Sequence, residues 1–221
     1  MLKEYAIEGL HDYLAGNVLA RYAVRGGKAI DLGAGSGALA VRLQGFGFDV
    51  TAVDIDQDRF KADLPFVRMN LNQPDFSSIL EEGSFDFVSA VEVIEHLESP
   101  ISFLRNVRRL LKPDGIALIT TPNMDNAPSR VRFLLTGKLH MMDEAVPNHI
   151  SPIFHDLFVR AYLPRTGLSM VAHLLYPRDG YIVTRARYAW VLRTLARVLP
   201  GHALGDMHVF VLQPVIKETS M

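Results

Sequence analysis

A chain of 221 residues, 49% hydrophobic and 21% charged, is one ordinary domain with room for a decoration, which excludes a disordered tail, a fibrous protein and two full domains. Its 23 Lys plus Arg against 24 Asp plus Glu leave a formal charge of -1, so no global field draws it to nucleic acid or to an anionic membrane. The absence of cysteine removes disulfides, thiolate zinc sites and cysteine nucleophiles, and the cytoplasm is the expected location. Met1-Leu2-Lys3-Glu4-Tyr5 is charged early and lacks an apolar run, and no stretch is apolar enough to span a bilayer, so neither a targeting segment nor a membrane span is expected.

From the N-terminus, a helical stretch is expected over about 4–22, then a first strand at Ala29-Ile30-Asp31-Leu32, closed by Gly33-Ala34-Gly35-Ser36-Gly37 and followed by a helix from Ala38 to Gly45. Further strands are read at 48–53, 66–69 and 85–90. The next helix has a legible start, because Ser99 can cap it, Pro100 suits its first turn, and Ile101, Leu104, Val107, Leu110 and Leu111 make one apolar face. Lys112-Pro113-Asp114-Gly115 is expected to stop it before a fifth strand at 116–120. Residues 124–150 show no clean period and read as an inserted, partly helical lid. A helix near 153–162, a strand near 169–175, an amphipathic helical insertion over 185–200 and a last strand at 208–212 complete about seven strands in a single domain over 1–221. Strands alternating with helices imply an α/β, Rossmann-like, doubly wound and mostly parallel sheet.

The chemistry-bearing residues cluster at strand ends. Gly33, Gly35 and Gly37 sit where a strand turns into a helix, so the backbone there can approach a bound ligand closely. Asp54 follows the second strand about 20 residues later, where a carboxylate can accept both hydroxyls of a ribose. Asp31 lies inside the first strand, where a carboxylate is costly unless it meets backbone donors or a cation. The glycines also read as Gly33-x-Gly35-x-x-Ala38, so their spacing leaves nicotinamide and other adenosine ligands both open.

Taken together, Ala29–Gly37, Val53-Asp54-Ile55-Asp56 and Leu110-Leu111-Lys112-Pro113-Asp114-Gly115 closely resemble class I S-adenosylmethionine-dependent methyltransferases, most strongly from Ala29 to Asn123. The antiparallel last strand of that family fits His208 to Leu212. The resemblance implies that Asp31, Gly33, Ala34, Gly35 and Gly37 cradle the methionine part of S-adenosylmethionine, that Asp54 with Ile55 holds the ribose side, and that Val91 lies near the methionine. Asn70 stands where the family usually has an adenine-contacting Asp, which implies altered adenine recognition through its amide oxygen.

Glu92-Val93-Ile94-Glu95-His96 follows the fourth strand. In one helical turn Glu92, Glu95 and His96 would share a face and grip one cation. The string is similar to the metal motif of ubiquinone-pathway O-methyltransferases and of small-RNA 2'-O-methyltransferases, which add a later histidine, best matched here by His149. Such a site would hold a divalent metal such as Mg and activate a substrate hydroxyl. In a metal-free site His149 would instead act as general base.

Arg130, Arg132 and Lys138 interleave with Phe133, Leu134 and Leu135 in the expected lid. The later amphipathic helix sets Tyr188, Val191, Leu192, Leu195, Val198 and Leu199 against Arg193 and Arg197, with Arg185 and Arg187 before them. The pattern is that of a packed helix with a solvated face, or of a peripheral contact with a membrane or an amphiphilic acceptor. His140, His155, His173, His202 and His208 read as structural or surface residues. The whole is read as a methyltransferase acting on a small-molecule acceptor, most naturally at a hydroxyl. An RNA 2'-O-methyltransferase, a non-catalytic cofactor-binding protein and an NAD(P)-dependent oxidoreductase stay open beside it. Neutral charge and the lack of a dense basic stripe disfavour nucleic acid.

Overall fold

The structure is a computed structural model and describes residues 2–23, 26–144, 146–184 and 186–215. Arg185 and the Arg187 side chain lie outside the described residues. Seven strands form one sheet: β1 (Lys28–Leu32), β2 (Asp49–Asp54), β3 (Phe66–Arg68), β4 (Phe85–Val91), β5 (Leu111–Pro122), β6 (Leu168–Tyr176) and β7 (Met207–Pro214). Their order is β3-β2-β1-β4-β5-β7-β6. The first five pair in parallel, and β7 runs antiparallel between β5 and β6. The strand order reverses between β1 and β4, and a ligand crevice opens at the carboxyl ends of strands at such a point.

Both faces of the sheet are covered, which is why its central strands read as near-continuous apolar runs. One face packs on α1, a continuous helix made of Leu10–Leu14, the π-helical Ala15–Leu19 and Ala20–Tyr22, and on α2 (Ala38–Gly45). Leu10, Leu14, Val18, Leu39 and Leu43 meet Val50, Phe87 and Val209 there. The other face packs on α3 (Pro100–Leu110) and on α5, formed by His155–Leu157, the π-helical Phe158–Tyr162 and Leu163–Arg165. Phe103, Leu104, Val107 and Phe158 close over Ile30, Val88 and Phe210. Between β5 and α5 lies α4 (Ala127–Thr136), and before β7 lies α6 (Ala186–Ala196).

Ser99 caps α3 as expected, its hydroxyl accepting from the Ser102 amide at 3.4 Å. Three expectations need correction. The first helix does not begin near residue 4: Gly9 takes φ 76, the left-handed region, and α1 starts only at Leu10. The helix does end just before Lys112–Gly115, at Leu110, but β5 begins at Leu111 rather than at 116, and the four residues bulge out of the ladder, Phe85 pairing with Leu111 and Phe87 with Ile116. The Lys112 ammonium holds the bulge by donating to both oxygens of Asp86, at 2.7 and 2.8 Å. A Cβ on Gly115 would meet the Phe85 carbonyl at 2.8 Å. Finally, the apolar side expected of α6 is split. Leu192 and Leu199 pack with Ala127 and Ala196 against α4, while Tyr188, Val191 and Val198 face solvent beside Trp190, which is 69% exposed.

Among its described residues, the stretch expected as a lid is helical only in α4. Asn126 caps it through the Ser129 amide at 2.8 Å, and Gly137, at φ 67, ends it. Its base is fastened by the Asn123 amide, which donates to the carbonyls of His202 and Leu204 at 3.0 and 2.8 Å, and by Asn126, which donates to Gly205 at 2.9 Å.

Candidate active site

β1 delivers Asp31 and then the glycine loop to the crevice. Gly33, Gly35 and Gly37 have φ of 75, 54 and 87, and Cβ atoms on Gly33 and Gly37 would lie 2.4 Å from Val93 and 2.6 Å from Ala62. Only glycine meets both demands. β2 ends on Asp54, whose two carboxylate oxygens accept from the Gly35 amide at 2.8 Å and the Asp56 amide at 2.9 Å. Asp54 therefore sets the loop's shape and keeps further lone pairs for a ligand.

Asp31 is 2% exposed. One oxygen accepts from the Ser89 hydroxyl at 2.6 Å, and the other has no hydrogen-bond partner. Burial, opposed by the Ser89 bond and reinforced by the nearby Asp54 charge, pushes its carboxyl up to about 7. The folded chain thus keeps a proton that the unfolded chain sheds from pH 3.8 upward, so stability falls as pH rises toward 7. Asp31→Asn should remove this, gaining about 2–3 kcal/mol over the parent between pH 5 and pH 8. Urea unfolding of the ligand-free protein at the two pH values checks it, and an equal difference at both would contradict it.

A cavity of about 700 Å³ opens over these groups. It is lined by Asp31, Gly33, Ala34, Gly35, Asp54 and Ile55 on one part, and by Asn70, Val91, Glu92, His96 and His149 on another. Gly37 does not line it; it caps the start of α2. Asn70 accepts from the Asn72 amide at 2.9 Å through its Oδ1. The sequence reading missed the N-terminal strap over this cavity. Tyr5 packs against Gly35, the Ser36 hydroxyl donates to the Lys3 carbonyl at 2.6 Å, and Lys3 and Arg59 stand over the Tyr5 ring. The one signal for the strap was Gly9, which interrupts the helical pattern.

After β4 the expected single helical turn does not form. Glu92 has φ 54, and only Ile94–His96 makes a 3-10 turn, so Glu92 does not share a helical face with Glu95 and His96. Instead Glu92 Oε2 accepts from the Ile7 amide at 2.9 Å, tying the strap to the site. Burial raises the Glu92 carboxyl to about 7. Glu95, His96 and His149 do meet, one ligand atom of each lying within 4.8 Å of the others. The Glu95 carbonyl accepts from the amides of Ile150 and Ser151 at 2.9 Å each, which brings the His149 loop in.

Glu95 is 1% exposed with both carboxylate oxygens unpartnered, and burial holds its carboxyl well above the usual range. His96 Nδ1 lies 3.0 Å from the Asn148 carbonyl and His149 Nδ1 lies 2.7 Å from the Met141 carbonyl. A carbonyl only accepts, so each Nδ1 carries the proton and each Nε2 keeps its lone pair. Burial and the neighbouring His96 lower the His149 pKa, which keeps that imidazole neutral. An orphaned carboxylate beside two oriented lone pairs fits a divalent cation of intermediate hardness.

An open, doubly wound sheet with a glycine loop and an acid after β2 at its switch point defines a nucleotide-cofactor fold of the Rossmann-like class. The chain belongs to the methyltransferase domain family, whose profile it matches over residues 3–173. It is 34% identical over 99 residues to a ubiquinone biosynthesis O-methyltransferase of Rickettsia canadensis, covering 42% of each chain. With the enzyme of the same description from Xanthomonas campestris pv. campestris it shares 28% over 156 residues, 63% of this chain and 64% of that one. The matched part is thus less than two thirds of either relative. A solved S-adenosylmethionine-dependent methyltransferase from Archaeoglobus fulgidus superposes with a TM-score of 0.63 at 16% identity, over 91% of this chain and 93% of that one. The fold expected from the resemblance is therefore the fold present.

Proposed function

We propose that this chain transfers the methyl group of S-adenosylmethionine to a hydroxyl of a small, amphiphilic acceptor. The observation that carries the reading is that one cavity is lined both by Asp31, the glycine loop and Asp54 and by His96 and His149. The curated relatives named for O-methylation support oxygen as the atom methylated.

Bound S-adenosylmethionine supplies an electrophilic methyl on a positive sulfur. In this reading Asp54 accepts from the ribose hydroxyls, Asn70 meets the adenine, and Asp31 loses its proton when a ligand ammonium neutralises its buried charge. His149 Nε2 takes the acceptor's proton as the oxygen bonds to the methyl carbon; the carbon–sulfur bond breaks and its electron pair returns to sulfur. The strap over the cavity excludes water and aligns the two reactants. Were Glu95, His96 and His149 instead to hold a divalent ion, the ion would supply Lewis acidity toward the hydroxyl, and His149 Nε2, as its ligand, would no longer serve as the base.

An amphiphilic acceptor is supported by the outer faces of α4 and α6. Phe133, Leu134, Leu135, Trp190 and Val198 are all exposed, Leu134 at 83%, with Arg193 and Arg197 among the exposed residues of the same region. Such faces fit an anionic membrane surface at its headgroup level. No helix of the described residues is long and apolar enough to cross a membrane.

The test is label transfer from methyl-tritiated S-adenosylmethionine to phenols with and without an alkyl tail, presented in neutral or anionic vesicles, and to single-stranded RNA. The expected result is an alkali-stable methyl ether on the tailed phenol, formed faster with anionic vesicles. Label on RNA alone would replace the small-molecule reading, and equal rates in both vesicles would remove the membrane.

A further inference from the structure

Of the five histidines read as structural or surface residues, four converge at the base of the lid stretch. His155 opens α5, His173 lies in β6, His208 in β7 and His202 in the loop before it. The His155 and His202 ring centroids are 3.9 Å apart, those of His155 and His173 4.6 Å, and those of His173 and His202 4.4 Å. One ring nitrogen from each of these three lies within 4.8 Å of the other two. None of the four lines the cofactor cavity.

The protons around the cluster are ordered from one end. Asp125 Oδ2 accepts from the His155 backbone amide at 2.7 Å and stands 3.4 Å from His208 Nε2, an electrostatic contact without hydrogen-bond geometry. A carboxylate there selects the tautomer with its proton on Nε2, so His208 Nδ1 is left as an acceptor. That Nδ1 lies 2.9 Å from His173 Nε2, which must then be the donor, and His173 Nδ1 keeps a free lone pair. The side chains of His155 and His202 make no hydrogen bond among the described residues, although both are half-buried. Phe210 stacks on His173 at 5.1 Å and walls the cluster on one side.

Like groups packed this closely do not gain from one another. Burial and mutual proximity push His155 down to about 4 and His173 to about 2, so the rings stay neutral near pH 7. Three neutral imidazoles whose ring nitrogens converge, one of them oriented through a second histidine by a carboxylate, are what a late first-row dication takes as ligands. Three imidazoles favour zinc, cobalt, nickel or copper over magnesium or calcium, and leave a fourth coordination position for water.

We infer that His155, His173 and His202 form a zinc-class metal site, with His208 and Asp125 orienting His173 from behind, separate from the Glu95–His96–His149 cluster. An ion there would clasp α5, β6 and the loop before β7 at the point where Asn123 anchors the lid stretch. The inference does not depend on the proposed reaction.

The experiment is a titration of the chelator-treated full chain with Co²⁺ alone, read by visible absorption, on His149→Ala and on His149→Ala/His202→Ala. His202 is held through its backbone carbonyl by Asn123, so losing the ring leaves that anchor in place. His149→Ala alone should bind one Co²⁺ with the intense visible band of a four-coordinate site. Adding His202→Ala should weaken binding at least about tenfold, and excess Mg²⁺ should not displace the ion. If the double variant fails to fold, His155→Gln in the same background gives the same reading. Absence of the band in folded His149→Ala, or equal affinity with and without the His202 ring, would overturn the inference.

Discussion

His149→Ala is expected to lower kcat by about 100- to 10,000-fold while leaving the affinity for the cofactor product within a few-fold. The imidazole is neutral, its Nδ1–H is held by the Met141 carbonyl, and its Nε2 is free to take the acceptor's proton. Its pKa is lowered from 6.5 by burial and by His96, so the parent's rate should hold down to pH 6.5 and fall only below it. The sign follows from the role: a base works only when unprotonated, and a lowered pKa extends its range toward acid. The alanine variant should lose that acid limb along with the rate. A profile of kcat against pH with the acceptor that takes label best checks this. An unchanged acid limb in the variant would move the base elsewhere.

Asp54→Ala should weaken binding of S-adenosylhomocysteine by about 100- to 1,000-fold, the worth of two hydrogen bonds to a charged acceptor. Part of the loss is indirect. Asp54 also accepts from the Gly35 and Asp56 amides, so its removal frees the glycine loop from the end of β2. Asp54→Asn separates the contributions, since its amide oxygen still accepts one of these bonds while the charge is gone, and it should lie between alanine and the parent. Equilibrium dialysis with labelled ligand measures all three. Unchanged affinity in the alanine variant would mean that the ribose is not held at the end of β2.

What the sequence made legible was local. The glycine loop, Asp31 and Asp54 each sit within a strand–turn motif whose geometry depends on a few adjacent residues, so their arrangement could be read directly. Ser99 and Pro100 announced α3 for the same reason. What escaped was set by backbone exceptions and by distant pairing. Glu92 shares helical spacing with Glu95 and His96, yet its left-handed φ sends it to the N-terminal strap, an interaction 85 residues apart in sequence. The α6 stripe was legible as amphipathic, but α4 covers only part of it. The four histidines had no motif at all: the antiparallel register of β6 and β7, with Leu175 opposite His208 and His173 opposite Phe210, sets two of them side by side, and α5 and the loop before β7 bring the other two.

Calorimetric titration of the purified chain with S-adenosylhomocysteine, followed in the same cell by NADH, tests the central claim most directly. Saturable micromolar binding of the first and none of the second is the predicted result. No heat from the first, or a clear isotherm from NADH, would contradict it.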